Sequence, residues 1–236
     1  MLVIMKYVNM FTLLMISAFF ISCGQNRTDL RKENIQSETK NRVTSPKFDE
    51  KYIQSKYEYT DPNGSNLTIQ NGGPKGGMKY TDPNGEAYNY AVFWTRIINE
   101  TDNPLKLKIA FPVDSYPVPS LPGKYFKILV PPDTMTLDKE PLYLFGLTDL
   151  KSFLNNSIQK SSSMKRTINP QKSSGFYIVV LSLVEGAHGT MRTELSLKGQ
   201  NLFYRIKIDG SKSNTKSDDK EIQCGSINLK NLVSRK

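Results

Sequence analysis

Ala87-Tyr-Asn-Tyr-Ala-Val-Phe-Trp-Thr-Arg-Ile-Ile-Asn99 carries apolar side chains on both of its alternating faces. Tyr88, Tyr90, Val92 and Trp94 fall on one side, and Ala91, Phe93 and Ile97 on the other. A strand of that kind is central and covered on both sides. Asn99-Glu-Thr-Asp-Asn-Pro104 is turn chemistry. Leu105, Leu107, Ile109 and Phe111 then alternate with Lys106, Lys108 and Ala110. Period two with one wet face predicts a half-buried antiparallel partner for the segment before it.

Similar strand signals continue on either side. Tyr125–Val130 is a strand stopped by Pro131-Pro132, and Phe176–Val184 is apolar throughout. Met191–Leu197 and Leu202–Ile208 alternate around Lys198-Gly-Gln-Asn201, which reads as a hairpin. Glu221–Leu229 reads as a last strand. Leu147, Leu150, Phe153, Leu154 and Ile158 share a helical face, with Thr148 or Asp149 as cap. Nine or ten short strands with turns every 8–12 residues predict a mainly β chain. The expected fold is an antiparallel β-sandwich, Ig-like or related, with one short helix.

One phrase occurs twice, Tyr59-Thr-Asp-Pro-Asn-Gly64 and Tyr80-Thr-Asp-Pro-Asn-Gly85. Pro presets φ and Gly supplies the left-handed exit, so each predicts a hairpin corner. The glycine stands too early for a calcium loop and no closing Glu follows. Asn71-Gly-Gly-Pro-Lys-Gly-Gly77, between them, lacks phosphate-cradle spacing and reads as a flexible loop.

The N-terminus carries a different signal. Lys6 precedes an uncharged apolar run over residues 10–22, with Met1 or Met5 as the start. A positive residue, a short apolar run and a small residue at its end describe a secretory signal. The run is short for a membrane span. Ser22 is followed by Cys23 and Gly24. This segment resembles a bacterial lipoprotein signal of the looser, Bacteroidetes type, with Phe20 where leucine is common. The resemblance covers the signal segment and carries no activity with it. It implies a diacylglycerol on the Cys23 thiol and a further acyl chain on the amine freed by cleavage. Each buried CH₂ contributes about 0.8 kcal/mol, so two or three chains anchor stably. The same resemblance implies the outer membrane, because Gly24 stands in place of a retaining Asp, and its periplasmic face, because no acidic run follows Cys23.

The domain expectation is a signal segment at 1–22, a flexible polar tether at 23–50 and a β-sandwich at 51–236. The tether has too few apolar side chains to offset the entropy of ordering. A domain of about 170 residues can bury roughly 70% of its unfolded surface without a metal or disulfide. With Cys23 taken by lipid, Cys224 is unpaired and expected to be a buried small hydrophobe.

Net charge is +10. In an exported protein that points to lipid headgroups, lipopolysaccharide or another envelope protein, not nucleic acid. No acidic residue occurs between Asp149 and Glu185, and the Ser-rich stretch 159–175 carries Lys160, Lys165, Arg166 and Lys172. Read as a basic loop, it is the candidate site for an anionic partner. Tyr57, Tyr59, Tyr80, Tyr88 and Tyr90 form the alternative, an exposed aromatic row on a surface lipoprotein that stacks against glycan. The single histidine, His188, has no second ligand for zinc and no nucleophile motif beside it. Asp218-Asp219 lies among lysines and is expected to be solvated. The reading is therefore a non-enzymatic envelope module with no cofactor.

Overall fold

The computed structural model describes residues 50–117, 122–123, 125–183, 190–209 and 218–234. Cys23, the signal segment, the tether up to residue 49 and His188 lie outside them. The strands are β1 (Ile53–Thr60), β2 (Asn66–Gly72), β3 (Lys75–Thr81), β4 (Ala87–Asn99), β5 (Leu105–Phe111), β6 (Tyr116–Pro117) and β7 (Tyr125–Leu129). They continue with β8 (Thr134–Met135), β9 (Ser162–Ile168), β10 (Lys172–Leu183), β11 (Thr190–Lys198), β12 (Asn201–Asp209), β13 (Asp218–Ile227) and β14 (Val233–Ser234). The helix α1 spans Leu150–Ser157. The fold is mainly β, with curled antiparallel sheets and, among the described residues, one α-helix, as the periodicity predicts. Of the four strands beyond the expected ten, β6, β8 and β14 are two-residue bridges and the fourth is β9.

Two sheets form. The first runs β14-β1-β2-β4-β10-β7-β6, with β3 also on β4 and β8 on β10. The second runs β11-β12-β13-β5-β9. One core lies between them. Phe93 and Ile97 of β4 and Phe176, Ile178 and Val180 of β10 meet Leu107, Ile109, Leu195, Leu202 and Tyr204 there. The opposite parity of the same strands, Val92, Trp94, Tyr177, Val179 and Leu181, enters a second core with Leu144, Phe145, Leu150 and Leu154. That explains why β4 and β10 read as apolar on both faces. Fully burying a side chain such as Phe93 or Ile178 stabilises by roughly 1.5–3 kcal/mol.

Both repeated phrases make the same turn. Gly64 and Gly85 take φ 83 and 86, and each backbone N–H donates to the Asp three residues before it. The Asp61 carboxylate accepts from the backbone N–H of Asn63 and Ser65, and Asp82 from those of Asn84 and Glu86. The phrase closes the β1–β2 and β3–β4 hairpins. The β11–β12 hairpin also forms as predicted, with Leu197 opposite Leu202.

Four expectations are corrected. β5 does not pair with β4; it crosses to the second sheet, between β13 and β9. The cause is a buried corner. Asn99 Nδ2 donates to the carbonyls of Asn103 and Ile168, and Asn99 Oδ1 accepts from the Thr101 N–H and hydroxyl. Residues 71–77 are not a flexible loop, since β2 and β3 take most of them. Gly72 lies so close to Trp94 that a Cβ would stand 2.0 Å from its ring nitrogen. Residues 159–175 are not a loop either but β9, a turn and the start of β10, because Met164 and Ile168 turn inward. Asp149 occupies the N-cap with φ 52 and makes no side-chain cap bond, and Leu147 lies before the helix.

One edge of the second sheet is sealed by side chains of the first. The Gln54 amide donates to the Thr193 carbonyl. Asn71 Nδ2 donates to the Leu195 carbonyl at 3.1 Å, and the Leu195 N–H donates to Asn71 Oδ1 at 2.9 Å. The Leu197 N–H donates to the Tyr59 hydroxyl at 2.7 Å. Asn71 thus stands in for one residue of a neighbouring strand. Its other two positions are filled by Thr95 Oγ1, which donates, and Ser55 Oγ, which accepts. An edge covered in this way is closed to a further strand.

Candidate anion-binding face

The outer face of the second sheet is built by the polar positions of its strands. Lys106, Lys108 and Ala110 are exposed on β5, and Ser163, Lys165 and Thr167 on β9. The register places Lys108 directly opposite Lys165, and Lys106 opposite Thr167. Cβ atoms of directly opposed residues stand about 5 Å apart, and like charges there repel. Continuing across the sheet, Lys108 faces Ser226 and Asn201 faces Lys198. Lys198 pairs with Glu221. Among the described residues, Lys106, Lys108 and Lys165 form no ion pair. The face therefore holds three ammonium groups on two adjacent strands, none of them paired with a carboxylate among the described residues.

The four basic residues predicted from the sequence do not converge. Only Lys165 belongs to this face. Lys160 precedes β9 and Lys172 follows it, about 20 Å apart at the rise of an extended strand. Arg166 points the other way, half-buried at the sandwich margin. It donates to Ser174 Oγ and to the carbonyls of Gly175 and Asp133. Burial lowers its pKa. It stitches β9 to β10 and the 132–133 turn. Lys106 and Lys108 were visible in the sequence as the wet side of an alternating strand. Their signal as a site lay in which strand β5 would pair with.

The tyrosines are not a surface row. Tyr59 is buried and Tyr57 packs against the inter-sheet core, while Tyr80 and Tyr88 are buried in the second core with Tyr90 against it. Tyr80 and Tyr88 pack at 6.4 Å between ring centroids, and burial raises Tyr88 to about 12. The five face opposite sides of the first sheet. Asp219 forms an ion pair with Arg205 at 3.2 Å.

Cys224 lies in the inter-sheet core, 3% exposed, as its alternation with Ile222 suggests. Burial pushes the thiol up to about 12 from its ordinary 9.0. The thiolate is the reactive form. In the Cys23→Ala protein, Cys224 resists a thiol reagent at about pH 8 while folded and reacts on unfolding; prompt labelling of the native form contradicts the buried placement. The sign for stability follows. The unfolded thiol loses its proton near 9.0 and the folded one near 12, so this contribution to stability is lost as pH rises between them.

In comparisons with known proteins, no protein-family model, no curated protein and no solved structure matches the chain.

Proposed function

We propose that this protein is a lipid-anchored, non-enzymatic lipoprotein of the bacterial outer membrane, facing the periplasm. Its β domain docks an anionic envelope component, a phosphate-bearing lipid or lipopolysaccharide surface, through Lys106, Lys108 and Lys165. The opposed Lys108–Lys165 pair carries the reading. Two like charges held face to face cost stability in the free protein, and an anionic surface relieves that cost. Without Lys6 of the signal segment the charge falls from +10 to +9, which still adds long-range attraction to such a surface. The lipid on Cys23 supplies the anchor, and the lysines orient the domain on its partner.

The face is tested apart from the anchor with the Cys23→Ala protein and vesicles of phosphatidylglycerol in phosphatidylcholine. It binds these vesicles and not pure phosphatidylcholine, and high salt releases it. Each lysine near an anionic surface contributes about 1 kcal/mol, so Lys108→Gln with Lys165→Gln weakens binding roughly 30-fold. Equal binding to neutral vesicles, or an unaffected double variant, overturns the reading.

A further inference from the structure

The second face of the first sheet is only partly covered by residues 135–158. Beyond them lies an open groove of about 460 Å³, within the range of small-molecule sites. Its floor is made by alternate residues of β2 and β4: Thr68, Gln70, Arg96 and Ile98. Thr68 and Gln70 are each only 6% exposed. The Thr68 hydroxyl makes no hydrogen bond among the described residues, and neither does the Gln70 amide nitrogen. Arg96 is half-buried. Its Nε and Nη2 donate to Ser173 Oγ at 3.2 and 3.1 Å, and its Nη1 donates to Gln70 Oε1 at 3.4 Å. All of these partners are neutral. A guanidinium has five N–H donors, so two remain. Burial lowers the pKa of Arg96, and no carboxylate offsets this.

The rim differs in sign. Glu50 and Glu100 are exposed and line the mouth, while Glu58 is paired with Lys56 at 2.6 Å. A half-buried cationic floor with unused donors suits an oxyanion, for which guanidinium is the best-matched side chain. The carboxylate rim disfavours a multiply charged anion and attracts a cation.

We propose that this groove binds a small zwitterion, its carboxylate on Arg96, Gln70 and Thr68 and its ammonium toward Glu50 and Glu100. The two groups are read at different depths, so a ligand lacking either one loses half of the recognition. This site is separate from the lysine face and stands or falls independently of it.

Calorimetric titration of the full chain with alanyl-alanine tests it. Saturable binding is expected in the millimolar range or tighter. The C-terminal amide and the N-acetyl form of the dipeptide each bind about tenfold more weakly, as does the dipeptide to Arg96→Lys, which keeps the charge but loses the fork. Thr68→Val, close in shape, weakens binding in the same direction and guards against a fold defect at Arg96. No saturable heat, equal binding of the amide or the N-acetyl form, or equally good displacement by inorganic phosphate overturns the proposal.

Discussion

Asn71→Leu lowers the stability of the β domain by about 3–4 kcal/mol, read as a fall in the urea midpoint. Asn71 is 1% exposed, and its amide satisfies both the N–H and the carbonyl of Leu195 on the otherwise open edge of β11. Leucine fills the space but makes neither bond. Leaving a buried donor or acceptor unsatisfied costs about 1–3 kcal/mol, and here both Leu195 groups and the Thr95 hydroxyl lose their partner. Asn71→Asp keeps the acceptor but cannot donate to the Leu195 carbonyl and buries a charge, so it also destabilises. Gln54→Ala, at the half-buried end of the same seam, costs under about 1 kcal/mol. If Asn71→Leu costs no more than Gln54→Ala, the two sheets are not joined through this residue.

The second large effect is at Lys75. Its ammonium lies 4.2 Å from the centre of the Phe145 ring and 3.7 Å from Glu140 Oε1, and donates to the carbonyls of Glu140 and Leu142. The Glu140 side chain is 5% exposed. Leu144 and Phe145 follow it with φ of 47 and 57, a conformation unfavourable for side chains of this kind. One lysine therefore neutralises a buried carboxylate and pins a strained turn to β3. Removing one partner of a buried ion pair costs about 3–5 kcal/mol; partial exposure of Lys75 reduces that to about 2–3 kcal/mol for Lys75→Met. Adding Glu140→Gln removes the unpaired charge and recovers part of the loss, which a double-mutant cycle measures. Limited proteolysis of Lys75→Met should cut within residues 140–147 before the rest of the domain. Strictly additive effects would show that Lys75 and Glu140 do not interact.

Much of the fold was legible from local pattern. Continuous apolar runs marked β4 and β10 because both faces of the first sheet are covered. The two Tyr-Thr-Asp-Pro-Asn-Gly phrases marked their turns because an Asp side chain and a glycine set that geometry within six residues. What pattern could not convey was partnership at long range. The alternation of β5 fixed its wet and dry sides but not its sheet, which depends on Asn99 reaching Ile168. Asn71 looked like part of a glycine loop because its partner, Leu195, is distant in sequence. The candidate site suffered similarly. Serines and lysines over 159–175 suggested a loop, yet Met164 and Ile168 supply the inward face of a strand. Only the pairing of that strand with β5 brings Lys165 to Lys108. The five tyrosines looked like one row because parity was read within strands, without knowing what packs over each face.

The lipid anchor is the claim on which the proposed role rests. Intact mass and membrane fractionation of the native protein beside Cys23→Ala test it most directly. A native chain beginning at Cys23, heavier by its acyl groups and held in the membrane fraction, with Cys23→Ala released, is the predicted result. An unmodified native chain, or a Cys23→Ala protein that stays membrane-bound, contradicts the account.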